Sequence, residues 1–390
     1  MKQLTLNIKT FINSSSFAGA LLILCVLVAL VLANSPLEQS LNNLLSYKIG
    51  FETDFLNLDY SMLSWINDGL MSIFFLLVGL EIKRELVAGE LSSLRKAMLP
   101  ILAATGGALL PALIYFIFNR GTITQSGWGI PMATDIAFAL AVIVALGSRV
   151  PNSAKIFMTA LAIVDDLLAI FVVAFFYVTE LHLTYLLFAF FIFLFMCLLN
   201  YFKCKFIFPY IFFGIILWYL IHHSGIHATI SGVLTAVVIP VKNGSSKSPL
   251  ERIERTLVKP VNLIIIPLFA FVNTAIHIES HVFENVFSSL GIGIALGLLL
   301  GKTFGIYGTY LITTKTGLCQ SPKGATSYHM FGASILGGIG FTMAIFVSNL
   351  SFQDHLLIDT AKIVVLITSV TAAIVGYIFL GRIKNYNSED

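Results

Sequence analysis

Two adjacent carboxylates, Asp165 and Asp166, stand in the middle of the run Ala162-Ile163-Val164-Asp165-Asp166-Leu167-Leu168-Ala169-Ile170, and apolar residues continue beyond it on both sides. An ionisable group near the centre of a bilayer costs about 2.5–3.5 kcal/mol even on lenient insertion scales, so each one needs a reason to be there. Asp135, within Met132-Ala133-Thr134-Asp135-Ile136-Ala137-Phe138, and Lys302, after Gly297-Leu298-Leu299-Leu300-Gly301, are placed in the same way. Two like charges side by side in a low dielectric cannot both stay ionised, so one holds a proton near neutral pH unless a cation replaces it. Proton and cation therefore compete for the same oxygens. In a soluble protein such a pair would more simply be a helix cap or a structural salt bridge, but no loop lies near enough here. Half a bilayer is about 15 Å, more than a lysine stem can cover, so Lys302 must meet a carboxylate or a polar cavity. Lys362, three residues after Asp359 near the end of the last apolar run, is placed instead to carry its charge to the interface.

The elements that hold these residues must themselves be buried in lipid. The chain has 390 residues, of which 57% are hydrophobic and only 11% charged, and its mean hydropathy is +0.92. A water-facing surface would require far more charge. About twelve runs are long enough to span a bilayer, near 17–34, 61–82, 97–118, 127–147, 154–178, 182–202, 206–221, 225–241, 257–275, 286–312, 326–349 and 356–380, the seventh and eighth being short and separated by His222, His223 and Ser224. The first run follows Lys2 and Lys9 as a signal peptide would, but no small-residue cleavage site follows it, and it reads as a retained span. With the N-terminus inside, nearly all loop Lys and Arg fall on the cytoplasmic side, including Lys242, Lys247 and Lys384, and only Lys48 and Arg120 fall outside, which places both termini in the cytoplasm.

The loops leave no room for a soluble domain, so residues 1–390 read as a single integral membrane domain. Two loops are longer. Residues 45–58 hold two partly alternating stretches around Glu52-Thr53-Asp54 that predict an extracytoplasmic hairpin, and Lys242-Asn243-Gly244-Ser245-Ser246 opens a polar, turn-rich cytoplasmic loop. Cys25, Cys197, Cys204 and Cys319 show no metal-ligand or redox spacing. The net charge of +3 is scattered rather than gathered in a basic stripe, which argues against nucleic acid.

Two runs look interrupted. Gly129-Ile130-Pro131 precedes Thr134-Asp135, and Gly337-Gly338-Ile339-Gly340 precedes Thr342. Aligning Thr134 with Thr342 also sets Phe138 opposite Phe346. Paired interruptions in the two halves of a chain point to an inverted repeat with its ion site at the breaks.

These segments, Ala133-Thr134-Asp135-Ile136-Ala137-Phe138-Ala139-Leu140, Ala162-Ile163-Val164-Asp165-Asp166, Gly301-Lys302 and Gly340-Phe341-Thr342-Met343, resemble the NhaA family of bacterial sodium/proton antiporters. So do Phe74-Phe75-Leu76-Leu77-Val78-Gly79-Leu80-Glu81 with Lys83-Arg84-Glu85, Gly225-Ile226-His227-Ala228-Thr229 and Pro267-Leu268-Phe269-Ala270-Phe271, so the resemblance covers nearly the whole chain. It implies an all-α polytopic membrane protein of about twelve transmembrane helices, with inverted-topology repeats and two interrupted helices crossing at mid-membrane, an arrangement already known for this family. Pro131, Gly338, Gly340 and Thr342 would belong to the broken-helix backbone.

The resemblance implies that Asp166 is the principal sodium or lithium ligand, with Thr134 and Asp135 beside it. Asp165 would form a proton-linked pair with Lys302 and release it when sodium arrives. More than one proton would move per sodium, so exchange would be electrogenic. Asp135 would oppose the positive ends of the broken helices and Lys302 the negative ones. Glu81, Arg84 and Glu85 resemble a cytoplasmic entrance and pH-response region, with Glu254 and Arg255 nearby; an ordinary interfacial salt-bridge cluster is an equal alternative. His227 matches a histidine tied to pH response, although it could equally be a hydrogen-bonding residue at a helix start. Arg255 stands where the family often has a histidine, and arginine does not titrate in that range. The outer hairpin resembles a dimer contact. The implied setting is the bacterial inner membrane, with a homodimer in the lipid bilayer, no cofactor beyond the transported sodium, lithium and protons, and a role in sodium and pH homeostasis.

The rival is a sodium-coupled solute symporter of related architecture, which would need a pocket for an organic substrate. An intramembrane prenyl transferase would need a third aspartate after Asp165-Asp166-Leu167-Leu168-Ala169, and an aspartyl protease would split its two aspartates between helices.

Overall fold

Inside a bilayer no water is available to backbone N–H and C=O groups, so apolar runs satisfy them internally by folding as helices. The computed structural model of the chain is accordingly almost all helical, and it describes residues 15–53, 56–178, 180–241, 248–278 and 285–383. Lys2, Lys9, Lys242, Lys247 and Lys384, the turn-rich stretch 243–246, and Asp54 and Phe55 of the hairpin lie outside the described residues.

The order is α1 (Ser15–Ala33), α2 (Glu38–Ser46), β1 (Lys48–Ile49), β2 (Tyr60–Ser61), α3 (Met62–Ala88), α4 (Leu94–Asn119), a 3-10 segment (Gln125–Met132), α5 (Ile136–Ala145), α6 (Asn152–Phe176), α7 (Leu183–Tyr201), α8 (Phe208–His222), α9 (Ile230–Val238), α10 (Pro249–Asn273), α11 (Ser289–Lys315), α12 (Ser327–Leu336), α13 (Phe341–Ser351) and α14 (His355–Gly381). Eight helical stretches among the described residues are long and apolar enough to cross a membrane, or up to ten if the bent pairs α1–α2 (111°) and α12–α13 (43°) each count as one span. The chain is a multi-pass membrane protein. Length alone does not reach the twelve expected from the sequence. Helices α8 and α9, with 15 and 9 residues, fall short of the roughly 20 residues a span needs. Two residues explain the brevity of α9. Gly225, in the turn before it, has φ +85° and a Cβ there would lie 1.9 Å from Glu180 O, and Pro240 disfavours helix at Ile239.

The helices form two compact units, one made of Met1–Ile23, Glu90–Ala169 and Ile278–Asp390, the other of Leu24–Gly89 and Ile170–His277. The first carries α4, α5, α11, α12, α13, α14 and most of α6. Its α11 lies directly on α4 because Gly301 has no side chain; a Cβ there would sit 2.7 Å from Pro111 Cα. The second unit packs α9 against α3, and α7, α8 and α9 around a core that includes Leu76, Met196, Leu217 and Ile239. Helices α3, α10 and α11 each contain a π-helical turn, at Trp65–Leu70, Val261–Ile265 and Gly297–Lys302. Such turns often mark functional positions.

The hairpin closes later than residue 58. Lys48 pairs with Ser61 and Ile49 with Tyr60, and Glu52 bridges to Asn57. Ser61 then starts α3, its Oγ accepting from Ser64 N at 3.1 Å, so the strand ends only where the helix begins. Trp65 Nε1 donates to Ile49 O (2.7 Å) and Asn57 N to Tyr219 Oη (3.3 Å), which ties the hairpin to α3 and α8.

Candidate functional site

Helix α6 is unbroken through Asp165 and Asp166, which are 1% and 2% exposed. Consecutive residues are offset by 100° around a helix axis, so the two carboxylates face different neighbours. Asp165 meets the π-turn of α11, where Lys302, fully buried, donates from Nζ to Asp165 Oδ2. The other oxygen, Asp165 Oδ1, is buried without a hydrogen-bond partner among the described residues. Lys302 also feels the charge of Asp166. A buried ion pair of this kind offsets the cost of two desolvated charges only through close geometry.

The two interruptions meet beside this pair. Between the 3-10 segment and α5 the backbone is extended at Ala133 and Asp135, and between α12 and α13 it turns at Gly337–Gly340. Asp135 N donates to Ile339 O at 2.7 Å, and Thr134 Oγ1 donates to Gly337 O at 2.8 Å. The carboxylate of Asp135 is then shared between two helix starts. Its Oδ1 accepts from Phe138 N (2.9 Å) as the cap of α5, and its Oδ2 accepts from Thr342 N (3.1 Å) and Thr342 Oγ1 (2.5 Å) at the start of α13. Both helix starts carry partial positive charge and orphan N–H groups, and one anion serves both. Gly338 and Gly340 let α11 approach, since Cβ atoms there would fall 2.6 Å from Leu298 O and 3.0 Å from Leu298 Cδ2. Pro131 lies against α11 at Gly297, and Thr134 stands beside the Asp165 carboxylate.

The sequence profile of the family described as Na+/H+ antiporter 1 matches residues 9–380. The chain belongs to that family. Among its relatives, the Na(+)/H(+) antiporter NhaA 2 of Flavobacterium johnsoniae is 50% identical over 380 residues, spanning 97% of this chain and 93% of the relative. The Na(+)/H(+) antiporter NhaA of Bordetella parapertussis is 43% identical, with 96% of each chain covered. The corresponding protein of Helicobacter pylori strain P12 is 42% identical, covering 97% of this chain and 95% of its own.

The entrance and pH-response candidates of this Na+/H+ antiporter family member lie in the second unit, in two places. Arg84 Nη1 pairs with Glu254 Oε1 at 2.7 Å and Arg84 Nη2 with Glu85 Oε1 at 3.1 Å, and Glu81 feels the charges of all three. His227 is elsewhere, with Nε2 3.4 Å from Asp68 Oδ1 and Nδ1 2.8 Å from Thr229 Oγ1. Asp68 and Arg84 are separated by about 24 Å of α3 at 1.5 Å per residue, so His227 does not join the arginine cluster. Lys362, expected to reach the interface, is only 9% exposed and lies near Asp359. Packing of α14 against its neighbours covers its stem.

The rule that singles out Asp165 also covers Asp68, a carboxylate inside the second apolar run that the sequence reading passes over. Ser369 has no such signal. Its Oγ on α14 accepts from Phe341 N at 3.1 Å and so caps the first amide of α13, next to the amide held by Asp135. Serine is common in transmembrane helices, and nothing in its sequence context distinguishes it. Ser369→Ala leaves a buried donor unpaired and is expected to destabilise the protein by about 1–3 kcal/mol, whereas Ser369→Thr keeps the acceptor. Thermal unfolding in detergent checks this, and equal losses in both variants would show that the hydrogen bond contributes nothing.

Proposed function

We propose that the chain works in the bacterial inner membrane as an electrogenic antiporter that extrudes sodium, or lithium, in exchange for more than one proton, and so serves sodium and pH homeostasis. The observation that carries this reading is the buried Lys302–Asp165 ion pair with Asp166 as its immediate neighbour. Asp166 is the principal cation ligand, and the unpartnered Asp165 Oδ1 supports a second oxygen for the cation. A cation arriving there supplies the positive charge that Lys302 otherwise provides, so Lys302 is released from Asp165 and protons leave the site. The reverse sequence reloads it. Thr134 borders the cation. Both oxygens of Asp135 are committed to helix starts, which supports a role in balancing dipoles more than one in ligation.

In this reading residues 1–390 form one integral transporter with twelve spans, α8 and α9 being the two short ones, and with both termini cytoplasmic. The matching breaks at Thr134 and Thr342 belong to inverted repeats. Glu81, Arg84, Glu85 and Glu254 form the cytoplasmic entrance and take part in the pH response with His227. The test is sodium uptake into proteoliposomes under an imposed pH gradient with no organic solute present. Uptake that tracks the proton gradient and changes with membrane potential is expected, and a requirement for an added organic solute would overturn the proposal in favour of symport.

The hairpin is the homodimer contact. Replacing residues 50–59 by a two-residue turn, which keeps the Lys48–Ser61 and Ile49–Tyr60 pairing, is expected to give monomers by size-exclusion light scattering in detergent. A persistent dimer would remove the hairpin from that role.

A further inference from the structure

The second unit contains a cavity of about 700 Å³ with almost wholly apolar walls. Its long wall is α3, from Met62 and Trp65 near the hairpin down to Leu76; Ile211, Ile215 and Trp218 of α8 face it. The fourteen residue steps from Met62 to Leu76 cover about 21 Å at helical rise, somewhat more than the ~15 Å of hydrocarbon in one leaflet. The cavity therefore borders the half of α3 that begins at the hairpin.

Its opening faces lipid. Ile215, part of the wall, is 62% exposed, and Phe208 and Phe212 on the same helix are exposed beside it, so the cavity is continuous with the apolar surface that meets the bilayer. At the hairpin end the rings of Trp65 and Trp218 stack with centroids 5.7 Å apart. Their indole N–H groups are already used, Trp65 Nε1 on Ile49 O (2.7 Å) and Trp218 Nε1 on Asp68 O (3.1 Å), so the rings present only apolar faces to the cavity. Water is stable in a cavity only where it finds two to four polar partners; of the three hydroxyls in the lining, those of Ser72 and Ser231 already donate to Asp68 O and Ala228 O, and the exposed wall is almost entirely apolar. At this depth in a membrane the available apolar occupant is hydrocarbon, and the volume falls within the range of sites that bind small apolar ligands.

We propose that this cavity is a binding site for one acyl chain of a phospholipid from the leaflet on the hairpin side. The chain lies along α3 with its end near Leu76, and the stacked tryptophans flank its upper part. The site fills the space between α3 and α8 and so links lipid composition to the packing of the second unit.

Trp65 and Trp218 report occupancy directly, because bromine on an acyl chain quenches indole fluorescence on contact. The chain has one other tryptophan, Trp128, which is replaced by Phe. The full-length Trp128→Phe protein is reconstituted in phosphatidylcholine containing increasing fractions of mid-chain dibrominated phosphatidylcholine. Quenching is expected in this background and is expected to be lost when the cavity is filled by Gly69→Leu or, independently, by Ile73→Phe, both lining residues. Sodium-driven exchange by the two filled variants verifies that they fold. Undiminished quenching in both would overturn the proposal, since ordinary surrounding lipid would then account for it. Quenching that emerges only after the dimer is dissociated would also overturn it, because a second copy of the chain would then be the occupant.

Discussion

Asp166→Asn is expected to leave a respiration-driven pH gradient intact when sodium or lithium is added to everted membrane vesicles, where the parent protein collapses it. Asparagine keeps the size of the side chain, so α6 and the adjacent Lys302–Asp165 pair can persist. What is lost is the negative charge, and the amide turns a donor toward the cation. Removing one partner from a buried charge interaction costs about 3–5 kcal/mol, which corresponds to roughly a hundred- to several-thousandfold weaker cation binding. The loss is expected at every pH tested, because no titration restores the missing ligand. Normal sodium response in Asp166→Asn, at expression equal to the parent, would sink the assignment of Asp166 as ligand.

The second large effect concerns Lys302. Lys302→Ala leaves Asp165 in a site where it is 1% exposed and has lost its hydrogen-bonded counter-ion. Breaking a buried pair from one side is expected to destabilise the protein by about 3–5 kcal/mol, much of it the cost of the stranded charge rather than the value of the pair. The double variant Lys302→Ala/Asp165→Asn removes that charge and is expected to regain most of the lost thermal stability while remaining inactive. The melting temperatures of the parent, both single variants and the double variant form a double-mutant cycle. If Lys302→Ala melts with the parent, or the losses simply add, the pair does not couple these helices.

The contact between α6 and α11 was legible in the sequence because the bilayer makes every ionisable residue conspicuous. Lys302 could not reach water, so it had to meet a carboxylate or a polar cavity, and in the structure it meets Asp165. Which of the two adjacent aspartates faced the lysine was not readable from spacing; family resemblance supplied it, and the helical phase of α6 and the π-turn of α11 determine it physically. The breaks at Thr134 and Gly340 were legible through Gly and Pro. Their hydrogen bonds were not, since Asp135 capping α13 joins residues 207 positions apart, and Ser369 is neutral and ordinary in kind. The brevity of α8 and α9 showed in the sequence as two short runs, but the points where they end did not. Hydropathy records that a stretch is apolar but not where a backbone turn ends its helix, as Gly225 and Pro240 do. The apolar cavity along α3 is equally invisible to hydropathy, because lining and packing residues there are of the same types.

The double cap at Asp135 has a mechanical consequence. Phe138 N, Thr342 N and Thr342 Oγ1 all converge on one carboxylate, while Asp135 N and Thr134 Oγ1 return bonds to Ile339 O and Gly337 O. Separating the two breaks would orphan these buried groups at about 1–3 kcal/mol each. The starts of α5 and α13 therefore travel as a single stiff bearing, and whatever hinge switches the cation from one side of the membrane to the other must flex somewhere else along the chain.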